Sequence, residues 1–198
     1  MRMILASNNK KKLLEMQTLL ANLGVELLSQ RDAGCAFEVE ETGTSFEENA
    51  YLKASAVTAA TGEIAVADDS GLMVDALDGA PGVYSARFTG NHEDTDEQRC
   101  RFLLQKLEGV SARSAKFVST ICCTFPNGDV LRARGECPGK IAFAPSGSGG
   151  FGYDPVFIPD GYDCTMAELG SAVKNEIAHR GRAIRSFKEE LKQYYADK

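Results

Sequence analysis

The chain has 198 residues, of which 43% are hydrophobic and 25% are charged, a composition that is ordinary for one sizeable globular domain. Its formal net charge of −6 argues against a nucleic-acid partner, because such a surface needs an excess of clustered lysine and arginine. No apolar run approaches the length of a membrane span, and the apolar start is too short for a signal peptide. We therefore expect a cytoplasmic protein that has no membrane partner and keeps its six cysteines reduced.

Strands and helices are predicted to alternate along the chain. The predicted strands are 2–6, 25–28, 64–67, 114–125, 130–137 and 139–144. The predicted helices are 10–23, 46–60, 96–109, 165–170 and 174–196. This alternation, with a hairpin late in the chain, is typical of an α/β domain with a mixed sheet and a cleft. Because no linker interrupts 1–198, we expect a single domain.

Local signals support several of these boundaries. Gly24 follows the first helix and is expected to end it. Segments 45–48 and 95–98 are capping boxes, in which a hydroxyl residue precedes a helix and Glu or Gln follows three residues later. The turn residues 126–129 lie between two strand-like runs, which predicts a hairpin.

Two adjacent carboxylates, Asp68 and Asp69, follow the apolar run 64–66 and precede Ser70 and Gly71. We expect them where a buried strand ends in a turn. Adjacent acids repel each other, and Mg²⁺ would compensate their charge. Since side chains alternate along a strand, one of the two is expected to face a site. Taken alone, the stretch is explained better by an Asx-type turn.

A basic segment, Ser7-Asn8-Asn9-Lys10-Lys11-Lys12, lies between the first strand and the first helix. Free N–H groups and the helix dipole favour an anion at a helix N-terminus, where lysines are unfavourable unless an anion balances them. We expect a phosphate site here, although the segment is not a Walker A loop. A solvated basic turn is the alternative.

A second acidic segment contains Glu40 and Glu41 and precedes the helix that carries Asn49 and Lys53. Asn49 and Lys53 share a helical face at a spacing of four residues. A carboxylate from Glu40 or Glu41 could complete a metal site with Asp69. Taken alone, the two glutamates are explained better as surface charge.

A glycine-rich loop at 149–155 contains Phe151, Gly152, Tyr153 and Asp154. Glycine lets the backbone approach a ligand closely, and the two aromatic rings could stack on a planar base. The alternative is a loop whose aromatic side chains fill the core. We favour a binding site, because glycines surround two aromatic residues and an acid.

Three basic residues near the predicted last helix, Lys174, His179 and Arg180, could contact phosphate and a base carbonyl. Arg87, in another glycine-rich loop, is a further candidate. A lone histidine is more often structural. Together with the preceding segments, these residues describe a site for a nucleoside triphosphate.

The ordered set of motifs closely resembles the inosine triphosphate pyrophosphatase family, the dITP/XTP pyrophosphatases. The matching segments are 6–12 with Glu15, 40–43 with 46–50 and Lys53, 67–72, 79–82 with 85–87, 149–155, and Lys174 with 179–181. The resemblance implies an α/β fold with a long central mixed sheet and helices in two lobes around a nucleotide cleft. It also implies a homodimer that uses Mg²⁺ to hydrolyse ITP, dITP and XTP to the monophosphate and pyrophosphate.

The resemblance also assigns roles to individual residues. Asp69 would be the general base and a metal ligand, with Glu41 as a second metal or metal-water ligand. Substrate contacts would come from Ser7, Asn8, Asn9, Lys10, Lys11, Lys12, Lys53, Ser70, Arg87, Phe151, Gly152, Tyr153, Asp154, Lys174, His179 and Arg180. Among these, Phe151 and Tyr153 would sandwich the base. We expect water to attack the α-phosphorus, and Arg180 with loop N–H groups to recognise the 6-keto edge.

Two departures from the family pattern are visible. Ala178 stands where the family often has serine, and Tyr153 stands where some members have tryptophan. Three other functions remain open: a nucleotide sensor without hydrolysis, a pyrophosphatase for other nucleotides, and an aspartyl-phosphate phosphomonoesterase. The last fits poorly, because Asp68-Asp69-Ser70 lacks the D-x-D spacing of that class.

Overall fold

The computed structural model describes residues 1–35, 37–91 and 93–196, apart from the side chains at 11, 19 and 22. Its strands are β1 (Arg2–Leu5), β2 (Glu26–Ser29), β3 (Ala65–Val74), β4 (Ser114–Thr124), β5 (Val130–Ile141) and β6 (Phe157–Pro159). Its α-helices are α1 (Lys10–Leu20), α2 (Phe46–Thr61), α3 (Asp96–Lys106), α4 (Ser171–Ile177) and α5 (His179–Ala196). Short 3₁₀ turns lie at Ala21–Leu23, Asp75–Leu77, Gly82–Arg87 and Asp154–Val156.

The strands form one six-stranded mixed sheet in the order β2-β1-β3-β4-β5-β6. β1 pairs in parallel with β2 and with β3, and Leu5 lies opposite Ser29 on one side and Val66 on the other. α1 provides the crossover that a parallel β1–β2 pair requires. β6 pairs antiparallel with the end of β5. The predicted α/β class and mixed sheet are confirmed.

The chain forms two compact units. Unit 1 comprises Met1–Asp69, Ser119–Gly135 and Arg180–Lys198, and unit 2 comprises Ser70–Val118 and Glu136–His179. The unit boundaries fall inside β3, β4, β5 and α5. That the whole chain acts as a single domain with a nucleotide cleft stays a prediction.

Each unit has its own apolar core. In unit 1, one cluster includes Met3, Met16 and Phe187, and a second includes Ile4 and Val57. The core of unit 2 includes Leu72, Leu103, Phe117 and Phe157. Fully burying one such side chain contributes roughly 1.5–3 kcal/mol relative to exposing it. These cores hold the site-bearing loops of each unit in place.

The helix-start signals are confirmed. The side chain of Ser45 accepts a hydrogen bond from the Glu48 N–H, and that of Thr95 accepts one from the Gln98 N–H; both capping boxes are complete. Gly24 caps the first helical segment with a left-handed backbone.

No helix in the described part of the chain is long and apolar enough to cross a membrane.

The predicted end of the third strand is wrong. β3 continues through Asp68, Asp69 and Gly71 to Val74, so the two acids lie inside the strand and not in a turn. The strand continues because Leu72 and Val74 are fully buried in the core of unit 2.

Three other predicted elements differ from the structure. Segment 139–144 is not a separate strand, since β5 runs unbroken to Ile141. Segment 165–170 forms turns, and the helix expected at 174–196 is divided by the extended backbone of Ala178. The three-residue strand β6 was not predicted, because so short an element has no detectable periodicity.

Candidate active site

Asp68 and Asp69 lie next to each other in β3, with 3% and 8% of their surfaces exposed. Because successive strand side chains point to opposite faces, their carboxylates contact different partners. Two clusters result, and both belong to unit 1. Such buried carboxylates need cations or hydrogen-bond donors to compensate their lost hydration.

The Asp68 cluster comprises Glu15, Lys12, Asp68 and Arg180. The Lys12 Nζ lies 3.1 Å from the Asp68 Oδ2, and the Arg180 Nε lies 3.3 Å from the same oxygen. The Arg180 Nη1 pairs with the Glu15 Oε2 at 2.6 Å. These charges therefore alternate in sign from Glu15 through Arg180 and Asp68 to Lys12.

The charges of the Asp68 cluster shift the pKa values of its members. Burial would raise the pKa of Asp68, but the cations of Lys12 and Arg180 hold it well below its usual range. Burial lowers the pKa of Lys12 even though Asp68 opposes the shift. Asp68 therefore stays ionised, which fixes the ammonium group of Lys12.

The Asp69 cluster comprises Glu41, Asn49, Lys53 and Asp69. The Lys53 Nζ donates to the Glu41 Oε1 at 2.7 Å and to the Asp69 Oδ1 at 3.0 Å. The Asn49 Nδ2 lies 3.4 Å from the other Asp69 oxygen. Burial raises the pKa of Asp69, Lys53 opposes the shift, and Glu41 adds to it. Asp69 is thus a carboxylate whose affinity for a proton is raised.

Helix α2 and the segment before it orient the donors of this cluster. The Gly43 N–H donates to the Asn49 Oδ1 at 2.8 Å, which turns the Asn49 amide nitrogen towards Asp69. A Cβ on Gly43 would lie 2.6 Å from that same oxygen, so only glycine allows the approach. Glu41 reaches the cluster, whereas its neighbour Glu40 is exposed.

The oxygen atoms of this cluster suit a hard divalent cation. The carboxylates of Glu41 and Asp69 both contact one cationic group, the Lys53 ammonium. Within the described part of the chain, no group of three or more His, Cys, Asp or Glu residues could hold a metal. Mg²⁺ commonly binds one or two carboxylates together with substrate phosphates. The pair therefore fits a metal that arrives with a triphosphate.

The loop that follows β1 lines a cavity of about 600 Å³ in unit 1. Ser7, Asn8, Asn9 and Lys10 border it, together with Leu13 and residues Ser29, Arg31 and Asp32 after β2. The Asn9 Oδ1 accepts a hydrogen bond from the Lys12 N–H at 3.3 Å, which caps the first turn of α1. Four predicted phosphate-binding residues thus share one cavity, and the side chain of Lys11 lies outside the described residues.

A third group of predicted residues lies together in unit 2. The Lys174 Nζ pairs with the Asp154 Oδ2 at 2.5 Å and lies 4.7 Å from the centre of the Phe151 ring. The Phe151 N–H donates to the same Asp154 oxygen at 2.9 Å. Asp154 is buried, whereas Phe151 is 38% exposed. The Phe151 ring is therefore open to a planar ligand beside a fixed ammonium group.

Comparison with known proteins identifies the family of this chain. The Ham1 family matches the chain over residues 3–190. The chain belongs to the Ham1 family. A dITP/XTP pyrophosphatase of Exiguobacterium sp. is 48% identical over 191 residues, which cover 96% of this chain and 97% of that protein. A dITP/XTP pyrophosphatase of Synechocystis sp. is 49% identical over 183 residues, which cover 92% of this chain and 91% of that protein.

Solved structures of Ham1 proteins share the fold. The Staphylococcus aureus Ham1 protein has a TM-score of 0.90 at 38% identity and covers 98% of this chain and 100% of its own. A HAM1 protein from Coxiella burnetii has a TM-score of 0.91 at 40% identity and covers 98% of this chain and 99% of its own. The family that the motifs indicated is confirmed.

Within this Ham1 protein, two residues that were predicted to contact the ligand are buried. Tyr153 is only 3% exposed, and its hydroxyl donates to the Ser85 carbonyl at 2.8 Å, so it packs in the core of unit 2. Arg180 is also 3% exposed and is bound to Asp68 and Glu15. Their contacts with a ligand stay predictions. Single aromatic and basic residues in a sequence carry no signal that separates such packing from binding.

The remaining predicted residues have mixed environments. His179 is 8% exposed and stacks on Phe117 with ring centres 4.8 Å apart. The Arg87 guanidinium lies 5.1 Å from the centre of the Tyr84 ring. Ser70 is half-buried.

Three side chains that contribute to the site were given no role by sequence reasoning. Only one of Asp68 and Asp69 is expected from sequence to face a site, and a role is assigned to Asp69 alone. Glu15 appears only in a matching segment, and Asn49 only through its helical spacing. The spacing of Lys12 and Glu15, three residues apart on α1, was the available signal for their common cluster. The contacts of Asp68 depend on Arg180, 112 residues away, and no local pattern encodes them.

Proposed function

We propose that the chain hydrolyses the deaminated purine nucleoside triphosphates ITP, dITP and XTP to the monophosphate and pyrophosphate, which removes them from the nucleotide pool. The convergence of Glu41 and Asp69 on one cation position carries this proposal, because it supplies a base and a metal pair in one cluster. The names of the relatives, dITP/XTP pyrophosphatases, support the same substrates.

The bond changes follow from the charges in unit 1. A water oxygen bonds to the α-phosphorus, the bond from that phosphorus to pyrophosphate breaks, and Asp69 takes the proton of the water. A carboxylate held in place beside the reacting water can act as a general base. Mg²⁺ bound by Glu41 and Asp69 would neutralise triphosphate charge and polarise the attacking water.

Cationic side chains would balance the charge that develops on the leaving group. Lys12 is held by Asp68 at the first turn of α1, beside the loop whose residues line the cavity of unit 1. Fixed cations stabilise a developing charge without reorganising during the reaction.

Base recognition would depend on the Phe151 loop. Stacking on an aromatic ring contributes about 1–3 kcal/mol per base, and Phe151 supplies an exposed ring. The Lys174 ammonium beside this ring can only donate hydrogen bonds, so it favours the 6-keto acceptor of hypoxanthine and xanthine. Adenine has no acceptor at this position and would leave the donor unpaired, which can lower kcat/KM for ATP by up to about 10⁴-fold relative to ITP.

The proposal includes two further features of the protein. All six cysteines are free, which supports a reducing, cytoplasmic location. The family resemblance supports a homodimer. Light scattering on the purified protein tests the dimer, since a monomer at micromolar concentration would contradict it.

Chromatographic analysis of the products from ITP, XTP, GTP and ATP, with and without Mg²⁺, tests the proposed reaction. We expect monophosphate and pyrophosphate from ITP and XTP only, and only with Mg²⁺. Orthophosphate as the product would refute the cleavage position. Saturable ITP binding without any product would indicate a sensor, and turnover of modified pyrimidine triphosphates alone would indicate a different substrate class.

A further inference from the structure

Helix α3 holds both backbone polar groups of Gly152. The Gly152 N–H donates to the Asp96 Oδ2 at 2.7 Å, and the Cys100 thiol donates to the Gly152 carbonyl, with 3.4 Å between sulfur and oxygen. Asp96 is the first residue of α3, and Cys100 follows four residues later on the same face. One helix therefore holds the two peptide units on either side of the Gly152 Cα.

The Asp96 carboxylate is itself fixed. Its Oδ1 pairs with the Arg99 Nη2 at 2.5 Å, while its Oδ2 accepts from Gly152. Arg99 also donates to the carbonyl groups of Asp94 and Ala86. The Arg99 side chain is 14% exposed and the Asp96 side chain is 44% exposed, so the arginine is shielded from solvent and the carboxylate is in contact with it. Asp96 cannot turn away from Gly152 without breaking the pair with Arg99.

Gly152 is placed where its orientation determines that of Phe151. Its φ of +61° lies in the left-handed region that favours glycine. Phe151 precedes it and carries the exposed ring, and Asp154 follows two residues later and holds Lys174. A rotation of the Gly152 backbone would move the ring relative to Lys174.

We propose that Asp96 is a positioning residue for the nucleotide base, which holds the Phe151 ring in its stacking orientation through the Gly152 N–H. This inference rests on the proposed function. Burial and the neighbouring carboxylate of Asp96 raise the pKa of the Cys100 thiol to about 12, so Cys100 remains an S–H donor to the same residue near neutral pH.

Asp96 also stabilises α3, because a negative charge in the first turn of a helix interacts favourably with the helix dipole. The test must distinguish this effect from the contact with Gly152. Glu97 is also in the first turn of α3, but its carboxylate pairs with Arg101 at the surface. Glu97→Ala therefore removes a first-turn charge without touching Gly152 and is the matched control. Asp96→Asn keeps an acceptor oxygen without the charge and is the conservative variant.

Amide hydrogen exchange of Gly152 in the nucleotide-free protein tests the contact directly. We expect Asp96→Ala to speed exchange by about tenfold or more, since hydrogen bonds to charged groups are worth at least that factor in an equilibrium constant. Asp96→Asn should show a smaller increase, and Glu97→Ala none. Equal exchange in the Asp96→Ala and Glu97→Ala proteins would overturn the inference.

Steady-state kinetics with ITP and Mg²⁺ test the consequence for the base. We expect Asp96→Ala to raise KM by about fivefold or more, in keeping with the loss of a stacked base, with kcat little changed, and Asp96→Asn to restore most of the loss. A lower kcat at constant KM, or equal effects in Glu97→Ala, would overturn the inference. A wild-type protein without activity would instead refute the proposed function. In that event, the ITP dissociation constants of the Asp96→Ala and Glu97→Ala proteins decide the positioning role by the same criterion.

Discussion

Asp68 and Asp69 are consecutive residues of β3 whose carboxylates have pKa values shifted in opposite directions. The Asp68 carboxylate lies against Lys12 and Arg180, and the Asp69 carboxylate shares Lys53 with Glu41. Two identical side chains thus acquire different chemistry from their surroundings. The first is suited to holding a cation, and the second to accepting a proton.

Replacing Asp69 by Asn should abolish most of the activity. Loss of a general base costs about 10²–10⁴-fold in rate, and the amide cannot take the proton of the water. The measurement is kcat for ITP at saturating Mg²⁺. Asp75→Asn, which changes an exposed acid just after β3, serves as the control and should leave kcat unchanged. Wild-type turnover by Asp69→Asn would refute the assignment.

Glu41 and Glu40 form a matched pair for testing the metal site. Only Glu41 contacts Lys53 with Asp69, so Glu41→Gln should raise the Mg²⁺ concentration for half-maximal activity. A factor of about 10–100 is typical of lost groups around a metal. Glu40→Gln, at an exposed position, should change nothing. Equal Mg²⁺ requirements in both variants would contradict the site.

The pH dependence of stability should depend on Asp68. Its pKa is lowered in the folded protein, so the unfolded state binds the proton first as the pH falls. Its contribution is therefore complete above the ordinary aspartate pKa, near pH 4, and is lost as the pH falls towards the lower folded value. Urea unfolding of the wild type and Asp68→Asn, from neutral pH to about pH 3, measures this difference.

At neutral pH, Asp68→Asn should lower the free energy of unfolding by about 3–5 kcal/mol, because it leaves the buried Lys12 and Arg180 without that carboxylate. The gap between the two proteins should narrow as the pH falls below about 4. A constant gap over the whole pH range would contradict the ionised state of Asp68.

Cysteine reactivity should follow burial. Burial raises the thiol pKa of Cys100 to about 12 and that of Cys122 to about 11, and only the thiolate reacts. With iodoacetamide at about pH 8, Cys164, which is half-buried, should be alkylated first, and the other two should react only in denaturant. Mass spectrometry of peptides measures the order. Early alkylation of Cys122 in the native protein would contradict the burial of β4.

Much of the fold could be predicted from local signals. The capping residues Ser45 and Thr95, and the hairpin turn at 126–129, each act within a few residues. The structure has the two helices, α2 and α3, and the two hairpin strands, β4 and β5, that these signals predict. The end of β3 could not be predicted in this way. Asp69-Ser70-Gly71 has the composition of a turn. The backbone stays extended because Leu72 and Val74 are buried in the core of unit 2, whose other residues lie far away in sequence.

The candidate site was predictable in its residue types but less so in its contacts. Asn49 and Lys53 share a helical face, so their common approach to Asp69 follows from spacing. The partners of Arg180, Glu15 and Asp68, lie 165 and 112 residues away in sequence. Such contacts depend on how the strands and helices pack, which no single motif contains.

The proposed reaction requires that water attacks the α-phosphorus of the nucleotide. Hydrolysis of ITP in water enriched in heavy oxygen, followed by mass spectrometry of both products, tests it most directly. The account predicts one heavy oxygen in the inosine monophosphate and none in the pyrophosphate. Heavy oxygen in the pyrophosphate, or in released orthophosphate, would place the attack on another phosphorus and contradict the account.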